Sequence, residues 1–366
     1  MQAVILAGGE GTRLRPLTSR MPKPVVTLVD RPFIVFMLEW LHRHGVDDVV
    51  MSCGFLATRV REVLGDGSQL GIRLRFVEEP EPLGTGGALK YAQDLLEDRF
   101  LMLNGDVLCD IDLGAQIAQH ERTGARATLA LAAVEDPTAY GLVRLDADNA
   151  VREFVEKPSA EEVDTNMISA GAYVLEHSVL ELIPSGRKVS IEREVWPQLI
   201  GKGLFGFPSP GYWLDIGTPE RYLQGTFDII EGNLHTAVAE RMGDSFLARA
   251  DDAQLQGRIV PPAVIESGCS VAAGAHVGSL VVLGEGVSVG ERSVVERAVV
   301  LHGARIGADC ELRDCVVGPG ASVGDGSHIV GGAVLGADVA IGAGNMIARG
   351  ARVFPGVQIP DGAIRF

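Results

Sequence analysis

Positive charge, aromatic rings and cysteine are all scarce in this chain of 366 residues. Lysine and arginine number 32 against 48 acidic residues, a formal charge of −16. So acidic a chain has no broad basic face, which argues against a nucleic-acid or anionic-membrane partner. Anionic small ligands must be met by a few local cations. Five cysteines (Cys53, Cys109, Cys269, Cys310, Cys315) show no CxxC spacing, so neither a disulfide framework nor a zinc site is indicated and reduced core residues are expected. Long apolar runs are missing too. The longest uncharged stretch, residues 267–284, is broken by four glycines and His276, unlike a membrane helix. No basic leader precedes the opening run Ala3-Val4-Ile5-Leu6, so a cytoplasmic address is expected. With aromatics at 5%, hydrophobic residues at 46% and charged residues at 22%, the composition is globular rather than disordered.

Length suggests two domains, and composition changes after about residue 235. The last lysine is Lys202 and the last tryptophan Trp213, and the C-terminal third is rich in glycine. The first part alternates strand-like runs (48–53, 73–77, 100–103, 128–134) with helix-period segments such as 33–44, whose stripe is Phe33, Met37, Trp40, Leu41 and His44. That alternation predicts an α/β domain with a mostly parallel sheet.

In the second part an aliphatic residue returns every six positions: Ile259, Ile265, Val271, Val277, Leu283, Val289, Val295, Leu301. Two five-residue steps lead through Ile306, Leu312 and Val317, and the period resumes at Val323, Ile329, Leu335, Ile341, Ile347, Val353 and Ile359. A helix repeats at 3.6 and a strand at 2, so a period of six with glycine or alanine following predicts a parallel β-helix of hexapeptide repeats. The expected domains are 1–235 for chemistry, 236–256 as linker and 257–366 for the β-helix.

Three motifs carry chemistry. Leu6-Ala7-Gly8-Gly9-Glu10-Gly11-Thr12-Arg13 comes straight after the first strand, with Met21-Pro22-Lys23-Pro24 behind it. Glycines at a strand's carboxyl end let backbone N–H groups approach phosphate oxygens, while Arg13 and Lys23 add fixed positive charge. The loop is not a Walker A sequence, which needs GK[ST], and Leu14 stands where a dinucleotide fingerprint needs its third glycine. Second, the apolar run Leu101-Met102-Leu103 ends in Asn104-Gly105-Asp106. Third, Asp215 stands just before Gly217-Thr218-Pro219, a helix start. Two carboxylates are what Mg²⁺ normally takes from protein, phosphate and water supplying the rest.

Together with residues 79–89 (beginning Glu79-Pro80-Glu81-Pro82-Leu83-Gly84-Thr85), Tyr140-Gly141, Glu156-Lys157-Pro158 and Tyr212 to Glu220, these strings resemble the sugar-1-phosphate nucleotidylyltransferases. Within that superfamily the likeness is greatest to the mannose-1-phosphate guanylyltransferases (GDP-mannose pyrophosphorylases), which also carry a C-terminal hexapeptide β-helix. The resemblance implies a Rossmann-like nucleotidyltransferase domain followed by a left-handed parallel β-helix. It implies that NTP, GTP foremost, and a hexose-1-phosphate, mannose-1-phosphate foremost, give NDP-sugar and pyrophosphate; glucose-1-phosphate thymidylyl- or uridylyltransfer is the alternative. By the same likeness Leu6, Gly8, Gly9, Gly11, Thr12, Arg13, Glu79, Gly84 and Thr85 bind nucleotide. Arg13, Lys23 and Asp106 are catalytic, and Asp106 and Asp215 hold Mg²⁺. Gly141, Glu156, Lys157 and Ser169 meet the sugar phosphate. One departure stands out: the family's Asn-Ala-Gly is Ser169-Ala170-Gly171 here, which shortens or removes a sugar contact.

Two other functions compete. Hexapeptide β-helices often host acyltransferases with a catalytic histidine, and His276, His302 and His328 are the candidates. Two of them, His276 and His328, directly precede inward rung residues, and no lysine comes after Lys202 to hold a cofactor phosphate. A non-catalytic regulatory subunit would be expected to lose acidic ligands, yet Asp106 and Asp215 are present. The β-helix is therefore expected to serve assembly and stability, giving a homo-oligomer through its flat faces.

Overall fold

A computed structural model describes residues 1–54 and 56–365; Phe55 and Phe366, the last residue of the expected β-helix range, lie outside the described residues. The chain divides into two compact units, one of residues 1–9 and 34–214, the other of residues 10–33 and 215–366. The glycine-rich loop is thus cut after Gly9, and the segment bearing Arg13 and Lys23 belongs with the C-terminal coils.

The first unit is built on a nine-stranded sheet. One side of it is four parallel strands, β1 (Gln2–Ala7), β2 (Asp48–Cys53), β3 (Arg73–Glu78) and β4 (Arg99–Asn104), in the order β4-β1-β2-β3 with β3 at the edge. β1, β2 and β4 are buried along nearly their whole length, which is why they read as unbroken apolar runs rather than alternating ones. The chain leaves β1 for β2 on one side and later fills the other side with β4. That reversal opens a crevice at the carboxyl ends of the strands, where α/β sheets bind ligands. Beyond β4 the expectation of a mostly parallel sheet fails. The strand β5 (Met167–Glu176) runs antiparallel to β4, to Ala127–Ala133 and to Gly141–Leu145, and Val151–Glu156 is antiparallel to Gly141–Leu145. A hairpin joins Gly141–Leu145 to Val151–Glu156, whereas Leu204–Pro208 pairs parallel with Ala127–Ala133, so this half is mixed. The helix α1 (Phe33–Arg43) also departs from a single stripe: Ile34, Val35, Phe36 and Leu38 are buried as well as Phe33, Met37, Trp40 and Leu41. Its tryptophan Nε1 donates to Ile111 O at 3.0 Å.

In the second unit the six-residue period becomes three columns of paired strands. One column stacks Ile265, Leu283, Val300, Val317, Leu335 and Val353. A second runs from Leu255 and Val271 to Ile359, and a third from Ile259 to Ile347. All pairs are parallel, and the inward side chains make one continuous core that includes Cys269, Cys310 and Cys315. All five cysteines are buried and free. The rung residue is Val300, not Leu301: Val300 pairs with Leu283 and Val317. The short steps therefore fall at 295–300 and 312–317, inside the two long strands Val294–Val300 and Glu311–Val317. They stack on each other, with Arg297 (φ 47°) and Asp314 (φ 46°) in the same left-handed conformation and Arg297 Nε donating to Asp314 Oδ1 at 2.6 Å. The coil ladder starts at Leu247–Arg249, inside the stretch expected to be linker. Among the described residues no helix is long and apolar enough to cross a membrane.

A continuous core makes each rung costly to empty. Leu312→Ala, at a fully buried position, should destabilise the protein by about 2–5 kcal/mol. Chemical denaturation would check this, and a midpoint matching the parent would mean that the column does not bear the coil.

Candidate active site

In the first unit the carboxyl ends of β1, β2 and β4 meet through their backbones. Gly105 N–H donates to Leu6 O at 2.9 Å, and a side chain on Gly54 would crowd Gly8 O at 3.1 Å. Leu6 therefore contributes its carbonyl to the scaffold. Gly8 lies beside Glu79, whose Oε1 accepts the Ser52 hydroxyl at 3.0 Å and whose Oε2 accepts Leu83 N–H at 3.1 Å. That buried carboxylate braces three strand ends; Ser52 had no signature in the sequence. Gly9 faces open space. Asp106 comes directly after Gly105 at the end of β4.

The rest of the loop lies in the second unit. Gly11 has φ 61°, and a Cβ there would meet Lys23 Cβ at 3.0 Å and Thr18 Cγ2 at 3.2 Å, so only glycine satisfies both conformation and space. Its carbonyl accepts the Thr18 hydroxyl at 2.8 Å. Thr12–Leu14 then make one 3₁₀ turn. Arg13 Nη2 lies 3.9 Å from Asp215 Oδ2, and Lys23 Nζ lies 3.8 Å from Asp215 Oδ1. Lys23 is buried whereas the Arg13 side chain is two-thirds exposed. A buried ammonium needs a countercharge, and Asp215 supplies one while sharing its other oxygen with an arginine open to solvent. Directly beyond, Thr218 caps the helix Pro219–Ile230 by accepting Arg221 N–H.

A second cluster in the first unit gathers the residues expected to meet the sugar. Gly141 packs so closely on the Phe154 ring and on Glu156 Oε2 that a Cβ would overlap the ring. Lys157 holds φ 57°, a left-handed conformation costly for a residue with a side chain, and its N–H donates to Tyr140 O at 2.9 Å. Ser169 Oγ and the buried Tyr173 hydroxyl are 3.0 Å apart, so the shorter side chain has found a phenol within its own strand. Trp213 Nε1 donates to Ala170 O at 2.8 Å, and its ring meets Tyr140 edge-on at 5.2 Å.

No sequence motif pointed to Glu192. Ile191–Val195 form a single π-helical turn, a feature that recurs at functional sites, and Glu192 Oε2 accepts both Thr85 Oγ1 and Ser190 Oγ at 2.7 Å. Thr85 also accepts Ile191 N–H at 2.9 Å, so the expected nucleotide residue is bonded to a residue 107 positions away. Gly84 opens the helix Gly84–Tyr91 against Val189 O. Burial raises the Glu156 carboxyl, and the Glu192 charge raises it further, while Lys157 and Arg193 pull it down.

Among the described residues no group of three or more His, Cys, Asp or Glu side chains could hold a metal ion. Mg²⁺ does not ask for one, since it keeps waters and takes substrate phosphates with one or two carboxylates. Asp106 and Asp215 fit that donor chemistry. On the β-helix, His276 Nε2 lies 3.6 Å from Glu296 and His328 Nδ1 bonds Glu311 at 2.9 Å, so both rings are engaged by carboxylates of the coil.

The family model described as nucleotidyl transferase matches residues 2–232, and that described as GMPPB C-terminal domain matches residues 259–363. A mannose-1-phosphate guanylyltransferase of Mycobacterium tuberculosis is 36% identical over 100% of this chain and 98% of its own length. The mannose-1-phosphate guanylyltransferase catalytic subunit beta of Danio rerio is 34% identical over 99% and 98%. Among solved structures, HddC from Yersinia pseudotuberculosis complexed with GMP-PN is 31% identical with a TM-score of 0.54, covering 62% of this chain and 99% of that one.

The two neighbouring carboxylates give the site a titration test. Glu192→Gln removes a nearby negative charge, so Glu156 should lose its proton at lower pH than in the parent. Carboxyl ¹³C NMR against pH reads this directly, and an unmoved Glu156 titration would show that the two groups do not interact.

Proposed function

The chain belongs to the nucleotidyl transferase family, and from that premise we propose that it transfers a guanylyl group from GTP to mannose-1-phosphate, releasing GDP-mannose and pyrophosphate. The observation that carries the chemistry is the placement of Arg13 and Lys23 on the two oxygens of Asp215. Two cations fixed beside one carboxylate suit a site whose substrates and leaving group are all anionic. Support for guanine and mannose comes from relatives of that name that match nearly end to end, and from the GMP-PN bound to HddC.

A phosphate oxygen of the sugar-1-phosphate attacks the α-phosphorus, a P–O bond forms, and the α–β bridging bond breaks with its electron pair leaving on pyrophosphate. The nucleophile is already an anion, so no general base is needed; position and charge neutralisation are the whole requirement. In this reading Gly8, Gly9, Gly11 and Thr12 bring backbone N–H groups to the triphosphate. Leu6 and Glu79 hold the floor of the nucleotide site, and Gly84 and Thr85 border the base. Arg13 and Lys23 neutralise the departing pyrophosphate. Lys157, set in its left-handed turn, meets the sugar phosphate, while Gly141, Glu156 and Ser169 face the hexose. Asp106 and Asp215 are the proposed ligands of Mg²⁺, which when bound shields phosphate charge and polarises the α-phosphorus. A homo-oligomer associated through the flat faces of the coils is the proposed working form.

Pyrophosphate release over a matrix of nucleoside triphosphates and hexose-1-phosphates should be greatest for GTP with mannose-1-phosphate. A maximum for dTTP or UTP with glucose-1-phosphate would move the enzyme to the alternative within its family. Arg13→Ala should lower kcat by about a hundred- to a thousandfold with little change in KM for the nucleotide, because the charge it meets grows only as pyrophosphate leaves. A change confined to KM would make Arg13 a ground-state binder instead.

A further inference from the structure

The loop that carries Arg13 is held by the far end of the β-helix. Arg352 stands on the strand Arg352–Val353, paired with Val334–Leu335 near the C-terminal end of the coil stack. Its Nη1 donates to Arg13 O at 2.9 Å and to Arg15 O at 3.3 Å. Those carbonyls lie at the end of the 3₁₀ turn Thr12–Leu14, where carbonyls have no partner within the turn and an arginine is the natural cap. Elsewhere on the coils, Asp338 Oδ2 accepts Arg20 Nη1 at 2.9 Å, so the segment is tied down at a second point. The same Arg352 guanidinium is felt by Glu220, whose carboxyl is held low first by the Thr218 hydroxyl and in part by Arg352. Glu220 opens the helix just beyond Asp215, so Arg352 bears on both segments of chain that bring Arg13 and Asp215 together.

We propose that the β-helix is part of the catalytic apparatus: Arg352 is a positioning residue that caps the Arg13 turn and keeps its guanidinium directed at the leaving pyrophosphate. This goes beyond assembly and stability, and it rests on the reading of Arg13 given above. The physical reason is how loosely the side chain itself is tethered. Arg13 is solvent-exposed and the Asp215 carboxylate stands 3.9 Å away, so its aim is set by the backbone beneath it. Two charge-assisted hydrogen bonds from a rigid coil fix that backbone in a way that a surface loop could not do alone.

The test uses the full chain and whichever substrate pair turns over fastest, which makes it independent of base and sugar. Arg352→Ala and Arg352→Met, the latter keeping the apolar stem, should each lower kcat about ten- to a hundredfold, the cost of a slight misplacement of a catalytic group. KM for the sugar phosphate should stay within about twofold, and Arg352→Lys, which can cap one carbonyl, should fall between. Amide hydrogen exchange should quicken in residues 10–22 and not in the coil core. In an Arg13→Ala background, removal of Arg352 should cost less than about threefold, because two residues acting through one contact are not additive. Parental kcat in both Arg352 variants, unchanged exchange in residues 10–22, or a fully additive loss would overturn the proposal. An Arg13→Ala enzyme with parental kcat would overturn the reading of Arg13 and this proposal with it, whereas slow Arg13→Ala beside parental Arg352→Ala overturns the positioning role alone.

Discussion

A buried ammonium beside a carboxylate that it shares with an exposed arginine is the constraint around which the glycine-rich loop of this protein is arranged. Lys23 is nearly sealed from solvent and sits 3.8 Å from Asp215. Removing Asp215 would take a countercharge from both cations, a costly change where the ammonium is buried. The pair therefore commits residues 10–33 to the segment that begins at Asp215, whatever the first nine residues do in the sheet. Gly11 answers the same demand: its left-handed φ turns the chain back on Lys23, and no side chain fits between them. Arg13, on the other oxygen of the same carboxylate, can then remain exposed and directed outward, because Lys23 carries the structural share of the pairing.

Rigidity for that arrangement comes from an unexpected source. Flexible glycine-rich loops bind phosphate well through their N–H groups but hold cations poorly, since nothing beneath them resists bending. The coils of the second unit supply the resistance. Their regular pitch places like corners one above another, and the two shortened steps are absorbed by matched left-handed residues rather than by a break in the core. A stack of that regularity is stiff along its length, and its outward side chains, Asp338 at a turn and Arg352 on a strand among them, stand at fixed spacing.

Strands buried on both faces were readable residue by residue, because parallel central strands leave an apolar run that no helix periodicity imitates. The run 48–53 coincides with its strand. The hexapeptide period was legible for the same reason, and its one slip, Leu301 for Val300, came where a strand crosses a corner without the usual glycine, so the local pattern offered two adjacent aliphatics. Contacts made across long sequence separation could not be read at all. Glu192 lies in a charged run, Ile191-Glu192-Arg193-Glu194, that looks like a solvated helix start; only the π turn rotates its carboxylate onto Thr85. Arg352 is one of several arginines that directly precede an inward rung residue, and nothing in its neighbours distinguishes it from Arg258 or Arg305. The mixed half of the sheet was hidden too, since strand direction depends on how the chain returns and not on the composition of the strand.

The serine at 169 bears on where the sugar can be discriminated. An asparagine amide would offer two donors and an acceptor to a hydroxyl group; the serine here shares its single hydroxyl with Tyr173. Tyr173 is itself buried and its phenol is pushed far above its ordinary range by that burial, with Glu192 adding to the effect, so it stays a neutral donor and acceptor across the working pH. The serine hydroxyl is thus engaged within its own strand, and the Glu156 carboxyl is raised by burial first and by the Glu192 charge second. A carboxyl that holds its proton more tightly both donates and accepts, as a sugar hydroxyl does, which suits Glu156 to the role proposed for it. In the proposed reading the shorter residue at 169 therefore shifts the demands of sugar recognition toward Glu156, while Glu192, whose Oε2 accepts from both Thr85 and Ser190, serves to hold Thr85 in place.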